Sequence, residues 1–230
     1  MSAHQPVYLP WLGLFHKIAL SDLFCFFDIV QYQTKDYNNR NKVKTAEDTP
    51  WLTVPVNSKN HLEKKINEIE IVGDHWRKKH CKIIQLAYQN SPYFNMYFVE
   101  LKRIISDTKI KKLSDLNFRI LIFLLSCLNL KTKVVKASNY NFTGKKSDLV
   151  LDMCIKLKAK KYIFGSEGKN YAEIEKFKKN NIEVCFQNYN HPIYSQLYGN
   201  FIPYLSVIDL LFNMGSSSSE IIRSNNISKV

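Results

Sequence analysis

Arginine is scarce in this chain. Of its 33 basic residues only five are Arg (Arg40, Arg77, Arg103, Arg119 and Arg223), and the other 28 are Lys. Proteins that read bases or clamp phosphates bidentately favour Arg, so the net charge of +13 is not by itself a nucleic-acid signature. Asn is abundant, at 21. Together with Lys and Ile, that pattern reflects codon bias displayed on solvated faces. Glycine is also sparse, at seven, and no P-loop is present. The five cysteines, Cys25, Cys81, Cys127, Cys154 and Cys185, stand singly without a C-x-x-C pair, which argues against zinc and for free thiols in a reducing compartment. Long apolar runs are missing too. The best, Ile120 to Leu125, reaches about Leu130 only by including Ser126, Cys127 and Asn129, short of the ~20 residues of a membrane span. No signal peptide opens the chain, so a soluble cytoplasmic protein is expected.

What is there supports a sizeable core. At 230 residues with 45% hydrophobic and 23% charged residues, the expectation is one α/β domain over 1–230. The sheet should be mostly parallel and Rossmann-like, flanked by helices, with residues 45–130 forming a β-hairpin and helical insert. Met1 to His4 reads as a very short strand, Trp11 to Ser21 as a helix, and residues 22–31 as a buried strand whose LFCFF run ends in Asp28. Trp51 to Val56 reads as an edge strand because Pro55 has no amide hydrogen to donate. Residues 66–72 alternate apolar and polar, and the two are expected to pair as the hairpin. Residues 75–89, 92–107 and 112–129 read as helices. The last third repeats strand, helix, strand, helix, strand: 133–137, 147–158 capped by Ser147, 162–164, 170–179 and 183–187. One more helix follows at 203–213, and the polar tail after Gly215 is expected to hold at most a short helix and to fray at its end.

In open parallel sheets ligands bind beyond the carboxyl ends of the strands. The residues that follow each expected strand therefore carry the chemistry: His4-Gln5, Asp28 with Gln31, Gly165-Ser166-Glu167-Gly168, and Gln187 onward to His191. His4 and His191 are candidate bases. Asp28, leaving a buried strand, is either a ligand group or a cap on the next backbone turn. Gly165 to Gly168 is either an ordinary turn or an amide cradle for a phosphate or carboxylate at the next helix. The loop from Gln31 to Lys44 holds Gln31, Arg40, Asn41 and Lys44, amides and cations that suit sugar hydroxyls and phosphate. On the helix near the end, Ser206, Asp209 and Asn213 share one face and are expected to brace the site.

These residues resemble the WbqC-like family of bacterial surface-polysaccharide gene clusters. The matching segments are His4-Gln5-Pro6-x-Tyr8-Leu9-Pro10-Trp11-x-Gly13, Asp28-x-x-Gln31, Asn39-Arg40-Asn41, Trp51-Leu52-x-Val54-Pro55, Gly165-Ser166-x-Gly168-x-x-Tyr171, Tyr189-x-His191-Pro192-x-Tyr194-x-Gln196 and Leu205-Ser206-x-x-Asp209. The resemblance implies a part in O-antigen, capsule or related glycan synthesis. On that footing the expected activity is transfer of an acyl or aminoacyl group to the amine of a nucleotide-linked amino sugar. An acyl-CoA or an aminoacyl-tRNA would be the donor. His4, Asp28 and His191 are the expected catalytic residues. Gln5, Tyr8, Trp11, Gln31, Arg40, Asn41, Lys44, Ser166 and Tyr171 are the expected substrate contacts, and no metal is expected. A non-catalytic sugar-nucleotide or partner-binding module, and a tRNA-binding protein, are the alternative readings.

Overall fold

The structure is a computed structural model that describes residues 1–223. The expected fraying of the tail's end concerns residues outside the described ones. Five strands form one parallel sheet: β1 (Ser2–His4), β2 (Leu23–Phe26), β5 (Lys133–Lys136), β6 (Lys161–Phe164) and β7 (Glu183–Phe186), in the order β5-β2-β1-β6-β7. Three residues suffice for β1 because it is central. It pairs with β2 on one side and β6 on the other, and the N-terminal ammonium donates to Lys161 O at 2.7 Å. Side chains alternate across the sheet as a pleat requires. Phe24 and Phe26 enter one core, while Cys25 and Phe27 enter the other with Tyr162 and Phe164.

Helices cover both faces. The first core is built with α1 (Leu12–Ala19), whose Leu12, Phe15 and Ile18 are fully buried, each worth roughly 1.5–3 kcal/mol. It is completed by α2 (His75–Tyr88), α3 (Phe94–Ser106), α4 (Leu113–Cys127) and α7 (Val207–Met214). On the opposite face, Val150, Met153 and Cys154 of α5 (Lys146–Lys156) and Phe177 of α6 (Ile174–Lys179) pack on the sheet. A last short helix, α8, runs from Ser218 to Arg223. The chain moves outward from β1 through β2 to β5, then crosses back to β6 and β7. The direction therefore reverses between β1 and β6, a topological switch point.

Two local expectations are corrected. The hairpin pairs β3 (Arg40–Lys42) with β4 (Trp51–Thr53), not β4 with residues 66–72. A tight turn wins: Thr45 N–H donates to Asp48 O at 2.9 Å, and Thr45 Oγ1 donates to Asp48 Oδ1 at 2.8 Å. Closing so short a loop costs little chain entropy. Ile66–Glu68 instead forms a 3-10 turn, and only single bridges join Val56 to Ile71 and Glu70 to Lys112. Ser147 does not cap α5. Lys145 holds that position, and Ser147 Oγ accepts the Glu173 N–H at 3.0 Å.

Candidate active site

A cleft of about 1380 Å³ opens over the carboxyl ends of the strands, across the switch point. Its wall includes His4 and Gln5 after β1, Gln31 beyond β2, Ser166 and Tyr171 beyond β6, and Trp11 at the start of α1. These six expected residues, from distant parts of the sequence, are brought together. His4 sits half-buried at the end of the central strand, with its ring edge-on to Trp11 at 5.4 Å. Its Nδ1 lies 2.8 Å from Gln5 O. A carbonyl only accepts, so Nδ1 carries the proton and Nε2 keeps the lone pair. Burial, then the charge of Lys17, pushes its pKa down to about 4. His4 is therefore neutral at pH 7.

Lys17, Gln187 and Tyr189 complete the centre. Gln187 stands at the end of its expected strand with Tyr189 just beyond it, whereas Lys17 was not anticipated. Lys17 belongs to α1, is nearly fully buried, and donates from Nζ to Ala3 O at 2.8 Å. Burial lowers its pKa to about 8, so it remains mostly charged near neutrality. Gln187 Nε2 donates to Gly13 O at 2.8 Å and meets His16 Nδ1 at 2.8 Å. A Cβ on Gly13 would lie 3.0 Å from Trp11 Nε1 and 3.1 Å from Tyr189. Glycine is thus what lets the two aromatic walls approach. The one sequence signal for Lys17 was a charge on an otherwise apolar helix.

The remaining expected residues lie elsewhere. Asp28 is 2% exposed, and its carboxylate accepts from Ser138 N at 2.9 Å and Ser138 Oγ at 2.8 Å. It ties the end of β2 to the segment after β5, while the proton on His4 is fixed by a backbone carbonyl. Tyr8 is fully buried and shares a hydrogen bond with His80 Nδ1 at 2.9 Å, so it offers no face for stacking. Asn41 Nδ2 donates to Leu9 O at 2.6 Å, and Asn38 Nδ2 to Pro6 O at 2.8 Å. Leu9 has a φ of 45°, a conformation such side chains rarely adopt. Asn38 and Asn41 are thus spent on holding the Pro6–Leu9 segment that delivers Trp11, while Gln31 of the same loop faces the cleft. Lys44 is buried and donates from Nζ to Asn200 O at 2.7 Å and Gln196 Oε1 at 3.2 Å. Gln196 Nε2 in turn donates to Asp209 Oδ2 at 2.9 Å, and Tyr194 OH to the same oxygen at 2.8 Å. Asp209 and Asn213, whose Nδ2 donates to Asp209 O at 2.7 Å, therefore brace the interior.

Arg40 stacks over Trp51, with Cζ 4.3 Å from the ring centroid, outside the cleft wall. His191 also lies outside the wall, although its neighbours Tyr189 and Tyr204 line it. Its Nδ1 is 2.9 Å from Tyr189 OH, and its Nε2 accepts a long contact from Tyr204 N at 3.5 Å. The Gly165 to Gly168 turn is not a helical amide cradle. Ser166–Asn170 is one 3-10 turn in which Gly168 N–H donates to Gly165 O at 2.9 Å, and α6 starts only at Ile174. A Cβ on Gly168 would lie 2.5 Å from Phe164 Cβ, so that glycine serves packing. Among the described residues no group of three or more His, Cys, Asp or Glu side chains is placed to hold a metal ion, and no helix is long and apolar enough to cross a membrane.

Comparison with known proteins gives one family and one curated relative. The sequence profile described as the WbqC-like protein family matches residues 5–221. An uncharacterized protein of Mycobacterium tuberculosis, Rv1507c, is 32% identical over 220 residues, which is 95% of each chain. No solved structure matches the chain.

Proposed function

From the premise that this chain belongs to the WbqC-like family, we propose that it is a transferase of bacterial surface-glycan synthesis. It moves an acyl or aminoacyl group onto the amine of a nucleotide-linked amino sugar bound in the switch-point cleft. The observation that carries this reading is the neutral His4, with its Nε2 lone pair, beside the cationic Lys17 on the cleft wall. The amine attacks the donor carbonyl as a C–N bond forms, and the donor C–O or C–S bond then breaks. His4 Nε2, unprotonated at neutral pH, takes the proton from the added nitrogen and returns it to the leaving group. Lys17 supplies positive charge where the carbonyl oxygen becomes negative. Trp11 and Tyr189 give the sugar or base apolar faces, and Gln5, Gln31 and Ser166 offer polar contacts.

The test is incubation with a panel of nucleotide-linked amino sugars and acyl or aminoacyl donors, followed by mass spectrometry of the sugar nucleotide. A mass gain that depends on His4 supports the reading. Binding without a product from any donor would leave a recognition module. The pKa of about 4 at His4 favours that second reading, since so weak a base is a modest catalyst.

A further inference from the structure

The cleft does not end at Trp11. Tyr37 lies beside Trp11 at 5.3 Å between ring centroids, and Trp51 beside Tyr37 at 5.6 Å. Both outer rings are large and solvent-facing, Tyr37 at 36% and Trp51 at 38% exposure. At the far end Arg40 Cζ is 4.3 Å and Lys42 Nζ 5.0 Å from the Trp51 centroid. The row thus runs from His4 outward to a cationic tip on the hairpin.

The charges on this row are unpaired. Lys35, Arg40 and Lys42 take part in none of the ion pairs among the described residues; Arg40 Nη2 donates to the backbone O of Lys35, and its Nε is buried without a hydrogen-bond partner. A second hollow, of about 320 Å³, shows the contrast. Most of its cations are already matched, Arg119 to Asp107, Lys112 to Glu70, Lys136 to Asp115 and Lys111 to Asp74, and Lys109 is the exception. A single nucleotide base needs one ring to stack on. Several rings in file with interleaved cations are the arrangement that holds successive bases and phosphates of a single strand.

We propose that this track receives the unpaired 3′ end of an RNA, so that the donor in the reaction proposed above is an aminoacyl ester at that terminus. This rests on the transferase reading. Trp11, Tyr37 and Trp51 stack bases, while Lys35, Arg40 and Lys42 hold phosphates. The ester is delivered to His4. The sugar amine attacks the ester carbonyl, the C–N bond forms and the C–O bond to the ribose breaks. The amine proton passes through His4 to the ribose oxygen, with no oxidant or reductant required.

The experiment measures fluorescence anisotropy of two labelled RNA hairpins, one with a short unpaired 3′ overhang and one blunt, at several salt concentrations. The overhang hairpin should bind tighter, and Trp51→Ala should weaken it by about ten-fold while Trp51→Phe retains most of the affinity. Each of Arg40→Ala and Lys42→Ala should flatten the slope of log affinity against log salt by about 0.7. Trp51→Ala should leave the affinity for a nucleotide-linked amino sugar unchanged, which confirms that the variant is folded. Equal binding of both hairpins, or turnover with an acyl-CoA that Trp51→Ala does not slow, would overturn the proposal. In the latter case the transferase reading would survive. Loss of sugar-nucleotide binding by the unaltered protein would instead bring down that reading first.

Discussion

Replacing Asp28 by Ala separates a brace from a catalyst. Its carboxylate, 2% exposed, accepts two short hydrogen bonds from Ser138, at 2.9 Å from N and 2.8 Å from Oγ. The contact from Ser114 Oγ, at 3.5 Å, is too long to count for much. Hydrogen bonds to a charged group contribute about 1.5–3 kcal/mol each, so removing both costs about 3–6 kcal/mol. That is a large share of a domain's total stability of roughly 5–15 kcal/mol. At about 2–4 °C per kcal/mol for a chain of this size, the melting temperature should fall by about 6–24 °C. Asp28→Asn keeps the shape but turns an amide N–H₂ toward a donor, and should cost about half as much. Urea unfolding followed by tryptophan fluorescence reads both variants. Ligand affinity of the Ala variant, measured well below its melting temperature, should stay near that of the unaltered protein. An Ala variant as stable as the parent but unable to bind or turn over substrate would mean that Asp28 is no brace and belongs to the site.

Other outcomes follow from the same contacts. Gly168→Ala places a methyl 2.5 Å from Phe164 Cβ and should destabilise by about 1–3 kcal/mol or more, seen as a lowered urea midpoint. His4 and His80 are each held near pKa 4, below the usual 6.5, with burial as the main cause. The folded state thus binds fewer protons than the unfolded one. Their contribution is complete above pH 6.5 and lost as pH falls toward 4, up to about 3 kcal/mol each. Urea midpoints at pH 7 and pH 4.5 should differ less in His80→Gln, and an unchanged difference would contradict this. Lys17→Met removes a cation that lowers the His4 pKa, so the His4 imidazole should titrate at higher pH by proton NMR. A downward shift would contradict that assignment.

The doubly wound half of the fold was legible because it is locally encoded. Continuous apolar runs such as Leu23–Phe26 and Tyr162–Phe164, separated by helical spacing, require burial on both faces. Placing candidates at strand ends led to His4, Gln5 and Gln31, which line the cleft, for the same reason. The amide loop was misleading because composition cannot say where a side chain spends its hydrogen bonds. Asn41 and Asn38 are satisfied by carbonyls 32 residues away, a relation that exists only after folding. Lys17 was passed over because burial of a charged residue beside His4 depends on how α1 packs along β1. The hairpin partner was misassigned because alternation in residues 66–72 resembles an edge strand. The tight Thr45–Asp48 turn decides the pairing.

In the proposed transfer reaction in the switch-point cleft, His4 is the base. The most direct measurement compares the unaltered protein with His4→Ala under saturating nucleotide-linked amino sugar and donor, with product read by mass spectrometry and sugar-nucleotide affinity by calorimetry. Turnover should fall by about 10²-fold while affinity changes little. A His4→Ala protein that forms product at the parental rate would contradict that role.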